Sequence, residues 1–196
     1  MINKEILNQE FINAIESEFI FNNAPINRFN KKNLSSKTFE ELAELKDKIK
    51  SIKDCELKKF SKNMVFSDGT HKSSLMIVGE GPGNTEDIQG KPFVGDAGIL
   101  LNKMLKAIHI KRENVYITNV INYRPPNDRR PEASEIKRYS IFLRKHISII
   151  NPKILILMGS VAMEALLGQR LKISKERGTW KEVIINQKTF LTILTF

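Results

Sequence analysis

Residues 78–87 read Val-Gly-Glu-Gly-Pro-Gly-Asn-Thr-Glu-Asp, and this short stretch concentrates groups able to do chemistry. Gly79, Gly81 and Gly83 let the backbone turn sharply and approach a ligand with no β-carbon in the way. Glu80, Glu86 and Asp87 add carboxylates, which serve as acids, bases or partners of a developing cation. The spacing excludes two familiar phosphate-binding patterns. The third glycine comes too early for the dinucleotide fingerprint, and no Gly-Lys-Ser/Thr marks a phosphate loop. On spacing alone, a structural turn fits these residues as well as an active site does.

Further along the chain, other side chains complement the turn. Phe93, in Gly-Lys-Pro-Phe-Val-Gly-Asp-Ala-Gly, is a glycine-flanked ring able to stack on a planar ligand. Asn119 carries an amide that both donates to and accepts from a base edge. Asn122 to Pro131 form a proline-stiffened loop holding Arg124, Arg129 and Arg130, a set suited to phosphates.

The elements that must position these groups follow from hydrophobic pattern. Leu75–Gly79, Val115–Val120 and Lys153–Gly159 are continuous apolar runs, as buried parallel strands would be. Asp96 is expected to cap a helix with the face Ala97, Leu101, Met104, Leu105 and Ile108. Pro131 suits the first turn of another, whose face is Ile136, Tyr139, Leu143, Ile147 and Ile150, and Asn151-Pro152 ends it. Ser160 is expected to cap a short helix ending at Gly168, after which Trp180–Ile185 and Thr189–Phe196 read as closing strands. Upstream, Leu7, Phe11, Ala14 and Ile15 have helical spacing. The pair Thr38 and Glu41 predicts the start of a second helix with Phe39, Leu42, Leu45, Ile49 and Ile52 on one face. Strands alternating with helices imply an α/β fold, a three-layer α/β/α sandwich around a mostly parallel sheet. An N-terminal helical extension over residues 1–54 would precede a main domain over 55–196.

Bulk properties narrow the partners. A net charge of +10 and a pI near 9.7 favour polyanions, nucleic acid first among them, although a lysine-rich composition explains the same excess. No apolar run approaches the roughly 18–20 residues of a membrane span, and the N-terminus lacks the apolar core of a secretion signal. Cys55 is the single cysteine, so no internal disulfide forms and the cytoplasm is the expected compartment.

Taken in order, the segments GEGPGNTED, GKPFVGDAG, ITNV, RPPNDRRP and ILMGSVAMEALLG resemble the family-4, iron–sulfur type uracil-DNA glycosylases over roughly residues 55–196. The resemblance implies a monomeric hydrolase that flips uracil out of DNA and cleaves its N-glycosidic bond in base excision repair. It also implies that Phe93 stacks on the uracil, Asn119 reads its polar edge, and the glycine turn floors the pocket. Glu80 and Glu86 match acidic positions of the family, with Glu86 preferred for contact with water or the sugar cation. Arg124, Arg129 and Arg130 would lie against DNA.

The chain departs from the family twice. Four cysteines hold a cluster in such enzymes, and the corresponding positions here are Ile52, Cys55, Tyr123 and Tyr139. The cluster is therefore expected to be absent, with the three bulky replacements filling its volume and Cys55 as a buried hydrophobe. Relatives also continue into a His-Pro motif where this sequence stops at Leu194-Thr195-Phe196. A truncated chain with impaired activity is thus expected, the alternative being a non-catalytic DNA-binding remnant or an inert one. His71, His109 and His146 are expected at the surface and do not replace the missing group.

Overall fold

The computed structural model describes residues 31–168 and 172–195, so the helix expected over 5–18 lies outside the described residues. Residues 35–196 form one compact unit. Helix α1 (Lys31–Lys50) begins well before Thr38, which is an interior residue and not a cap. Leu42, Leu45 and Ile49 of its stripe are buried, whereas Phe39, one turn nearer the N-terminus, is 67% exposed. The elements that follow are α2 (Glu56–Phe60), β1 (Asp68–Gly69), β2 (Leu75–Gly79), α3 (Asn84–Gln89), α4 (Asp96–Ala107) and β3 (Tyr116–Asn119). Next come α5 (Ala133–Ile150), β4 (Ile154–Met158), α6 (Ser160–Leu167), α7 (Ile173–Glu176), β5 (Trp180–Ile185) and β6 (Lys188–Thr195).

These strands form one sheet in the order β1-β3-β2-β4-β6-β5. The central four are parallel, and the edge strands β1 and β5 run antiparallel to their neighbours. Alternation along each strand divides the core in two. Met76, Val78, Tyr116, Leu155, Leu157 and Leu194 face a large cluster with α1, α5 and α6. Ile77 and Ile117 face the smaller cluster supplied by Leu101 and Leu105 of α4. The result is the expected α/β/α sandwich with a mostly parallel sheet.

Helix α4 buries Gly98, Leu101 and Leu105, while Met104 and Ile108 of the expected face are 47% and 61% exposed. Its cap is Gly95 and that of α6 is Gly159, so Asp96 and Ser160 are the first helical residues and not the caps. Local geometry explains both. A β-carbon at Gly95 would lie 3.2 Å from Glu86 Oε1, and Gly159 has φ +89°, which side-chain-bearing residues rarely adopt. The expected face of α5 is buried throughout, and Asn151 ends that helix in a left-handed conformation.

Candidate active site

Parallel pairing of β2 with β3 sets Gly79 directly beside Asn119, at the carboxyl ends of the two strands. Ligands gather at such ends in open α/β sheets. A cavity of about 470 Å³ opens there, lined by Gly79, Glu80, Glu86, Phe93, Asn119 and Met158 among others. Gly81 and Gly83 also line it, so the turn, the ring and the amide picked out from sequence share one site.

The Phe93 ring and the Asn119 amide crowd Gly79: a β-carbon there would meet Phe93 Cζ at 2.5 Å and Asn119 Oδ1 at 2.6 Å. Phe93 itself has φ +51°, an uncommon conformation for a residue with a bulky side chain. Helix α4 approaches its backbone closely, since a β-carbon on Gly98 would stand 1.9 Å from the Phe93 carbonyl oxygen. Asn119 is 4% exposed, and its Nδ2 is buried with no hydrogen-bond partner in the protein. A buried amide left unpaired costs about 1–3 kcal/mol, which a ligand acceptor would recover.

The three carboxylates of the turn have different surroundings. Glu86 accepts backbone N–H groups from Gly83 (3.2 Å), Val94 (2.9 Å) and Gly95 (2.7 Å), and so ties the glycine turn to the loop carrying Phe93. Asp87 is buried and turns away, accepting from the N–H groups of Lys62 and Asn63. Glu80 is half-buried between the cavity and a neighbouring cleft under the 125–131 loop. Burial pushes its carboxyl above the ordinary carboxylate range, and the charge of Arg130 partly offsets this.

Each arginine of the basic loop is held by an acid. Arg124 pairs with Asp128 at 2.7 Å and donates to Asn84. Arg129 donates through two nitrogens to Glu135, each at 2.8 Å, and Arg130 pairs with Glu164 at 2.8 Å. This stitching gives the loop a fixed shape at the rim of the Glu80 cleft. It also means that a phosphate would compete with carboxylates for these guanidinium groups.

Sequence reasoning missed Arg112, which reaches from the turn before β3 to the carbonyls of Pro92 and Phe93. Nothing in its local sequence signals that contact, because the partners lie about twenty residues away across the fold. Two of the three histidines differ from the surface expectation. His109 is exposed, but His71 is half-buried with its Nε2 enclosed and unpaired. His146 is 2% exposed, stacked on Phe66 at 4.6 Å with Nε2 2.6 Å from the Tyr116 hydroxyl. It lies on the inner side of α5, where the helix covers the sheet. Burial lowers its pKa to about 3.

Comparison with known proteins identifies the family. The sequence model of the uracil DNA glycosylase superfamily matches residues 66–195. The type-4 uracil-DNA glycosylase of Sulfurisphaera tokodaii is 41% identical over 150 residues, covering 72% of this chain and 68% of that one. The type-4 enzyme of Thermotoga maritima is 41% identical over 143 residues, covering 72% and 74%. That of Archaeoglobus fulgidus is 37% identical over 148 residues, covering 74% of each chain. The chain belongs to the type-4 uracil-DNA glycosylase family, within the uracil DNA glycosylase superfamily.

The residues present do not fit the iron–sulfur cluster that membership implies. A cluster of this kind takes four ligands, usually thiolates, and the chain contains one cysteine. Cys55, Tyr123 and Tyr139 are 6%, 6% and 0% exposed in the same core cluster, with Ile52 packed against it. Cys55 Sγ lies 3.3 Å from Tyr139 Oη, so the thiol faces a phenol. Among the described residues no group of three or more His, Cys, Asp or Glu could hold a metal ion. No helix among them is long and apolar enough to cross a membrane.

Proposed function

We propose that this chain hydrolyses the N-glycosidic bond of uracil turned out of DNA, as a monomer and without an iron–sulfur cluster. The observation that carries the reading is the unpaired Nδ2 of Asn119, buried beside the Phe93 ring in an open cavity. Uracil is planar, so its face stacks on Phe93. Its O4 accepts from Asn119 Nδ2, and its N3–H donates to Oδ1. Cytosine offers an acceptor and a donor in the reverse positions and would leave both amide atoms unpaired.

As the N1–C1′ bond breaks, its electron pair leaves with the base and the sugar becomes cationic. Water then bonds to C1′ through oxygen, and the proton it loses ends on the base or in solvent. We assign the cation-facing carboxylate to Glu80, because the oxygens of Glu86 are already engaged by three backbone N–H groups. Glu86 serves instead as the brace that keeps the turn and the Phe93 loop in register. Arg124, Arg129 and Arg130 present a shaped basic edge to the DNA backbone beside the pocket.

Incubation with a uracil-containing single-stranded oligonucleotide, followed by alkali, tests the reading. Cleavage at the uracil is expected, and none at enzyme excess overturns catalysis by this chain. A non-catalytic DNA-binding role draws on a different observation: no histidine lines the cavity among the described residues. It predicts salt-dependent binding without excision, abolished by reversing the three arginines and unchanged by Asn119→Ala.

A further inference from the structure

We propose that Arg112 is a positioning residue for the base-stacking ring, holding the carbonyls of Pro92 and Phe93 while Glu86 holds the amides of Val94 and Gly95. This inference rests on the glycosylase reading of the pocket. Arg112 Nη2 donates to the Pro92 carbonyl at 2.7 Å, and Nη1 donates to the Phe93 carbonyl at 3.0 Å. The next two residues have their N–H groups taken by Glu86, at 2.9 Å for Val94 and 2.7 Å for Gly95. A cation therefore holds the carbonyls before the bend and an anion holds the amides after it. Charged partners make the stronger class of hydrogen bond, and both sites are part-buried.

The clamp has something to hold. Phe93 sits at φ +51°, and such a conformation in a bulky residue persists only where its surroundings over-determine it. Arg112 is itself fixed on two further sides: Nε donates to Asp68 Oδ2 at 2.9 Å, and Nη1 donates to Asn102 Oδ1 at 3.1 Å. The two-residue strand β1 brings Asp68 there by pairing with β3, an approach so close that a β-carbon on Gly69 would stand 1.7 Å from the Val115 carbonyl oxygen. Arg112 thus ties β1, α4 and the Phe93 loop together, outside the cavity that the ring lines.

The test is a double-mutant cycle on the full chain, with Arg112→Gln, Arg112→Lys, Phe93→Ala and the Arg112→Gln/Phe93→Ala pair. Binding is read against a single-stranded oligonucleotide carrying 2′-fluoro-2′-deoxyuridine, whose fluorine disfavours the sugar cation and preserves the bond. Arg112→Gln and Phe93→Ala should each weaken binding roughly tenfold, and the pair should be no weaker than Phe93→Ala alone. Arg112→Lys, which keeps the charge but supplies fewer donors, should fall between. Losses that multiply, or a full loss only in the pair, overturn the proposal, because a merely structural arginine would act independently of the ring. Amide hydrogen exchange supplies a readout that needs no DNA. Arg112→Lys should speed exchange at Val94 and Gly95 by roughly tenfold. Unchanged exchange there refutes the clamp, whereas wild-type protein that prefers uracil no more than thymine refutes the glycosylase reading instead.

Discussion

Gly79 and the edge of the Phe93 ring occupy adjacent space so closely that a single β-carbon on the glycine would stand 2.5 Å from Cζ. The same atom would meet Asn119 Oδ1 at 2.6 Å. The ring and the amide proposed to recognise the base therefore both depend on hydrogen standing where every other residue has carbon. Gly79→Ala should lower kcat/KM for uracil release roughly 100-fold by displacing ring and amide together. Overpacking of this kind costs about 1–3 kcal/mol, so thermal melting measured in parallel should show a protein that still folds.

The role proposed for Glu80 sets activity against stability. Burial raises its carboxyl above the ordinary value of 4.5, so ionising it opposes folding as pH rises through and beyond that value. Glu80→Gln should therefore melt higher than wild type at neutral pH, with the difference shrinking on acidification. The same variant should lose excision, and the wild-type rate should fall on the acid side with a midpoint above 4.5. Melting curves and single-turnover rates across pH check both limbs.

The Cys55–Tyr139 pair makes a prediction about composition. Anaerobically purified protein should contain neither stoichiometric iron nor acid-labile sulfide, and reconstitution should load no more iron than it does into Cys55→Ala. Tyr139→Phe should cost about 1 kcal/mol through loss of the 3.3 Å contact to the thiol. Tyr139→Ala, which empties a wholly buried site, should cost about 3–5 kcal/mol by denaturant unfolding.

His146 sets an acid limit on folding. Its pKa is depressed from 6.5 to about 3, so over that interval the unfolded chain binds a proton that the folded chain does not. The contribution of His146 is complete above pH 6.5 and should be lost as pH drops toward 3, by on the order of 1 kcal/mol per unit. His146→Gln removes this titration and should flatten the melting temperature over the interval. It should also weaken the protein at neutral pH by loosening the stack on Phe66.

Much of the fold was legible because buried strands and the α5 face announce themselves through apolar pattern alone. The Ile136, Tyr139, Leu143, Ile147 and Ile150 stripe needs only the helical period to be seen, and all five side chains are buried. Helix α4 is less legible, because Met104 and Ile108 are as apolar as Leu101 and Leu105 yet stay exposed. Periodicity reports which side chains share a face, and only the neighbouring layer decides how wide that face is. The start of α1 is not legible for a related reason: a capping-box spacing arises inside helices as well as at their ends, as at Thr38.

The glycine turn, Phe93, Asn119 and the lone Cys55 were determined by the sequence itself, since residue type and order already restrict the chemistry they can do. What the turn's acids do was decided only in three dimensions. Glu80, Glu86 and Asp87 are chemically alike, but one lines the cavity half-buried, one braces two loops, and one is buried against the backbone of Lys62 and Asn63. Arg112 belongs to the same class of outcome. Its partners are distant in the chain, and a hydrogen bond to a backbone carbonyl leaves no mark on the residue that receives it. A carbonyl belongs to every residue, so the sequence carries no record of which one a guanidinium will meet. Packing of β1, β3 and α4 makes that choice.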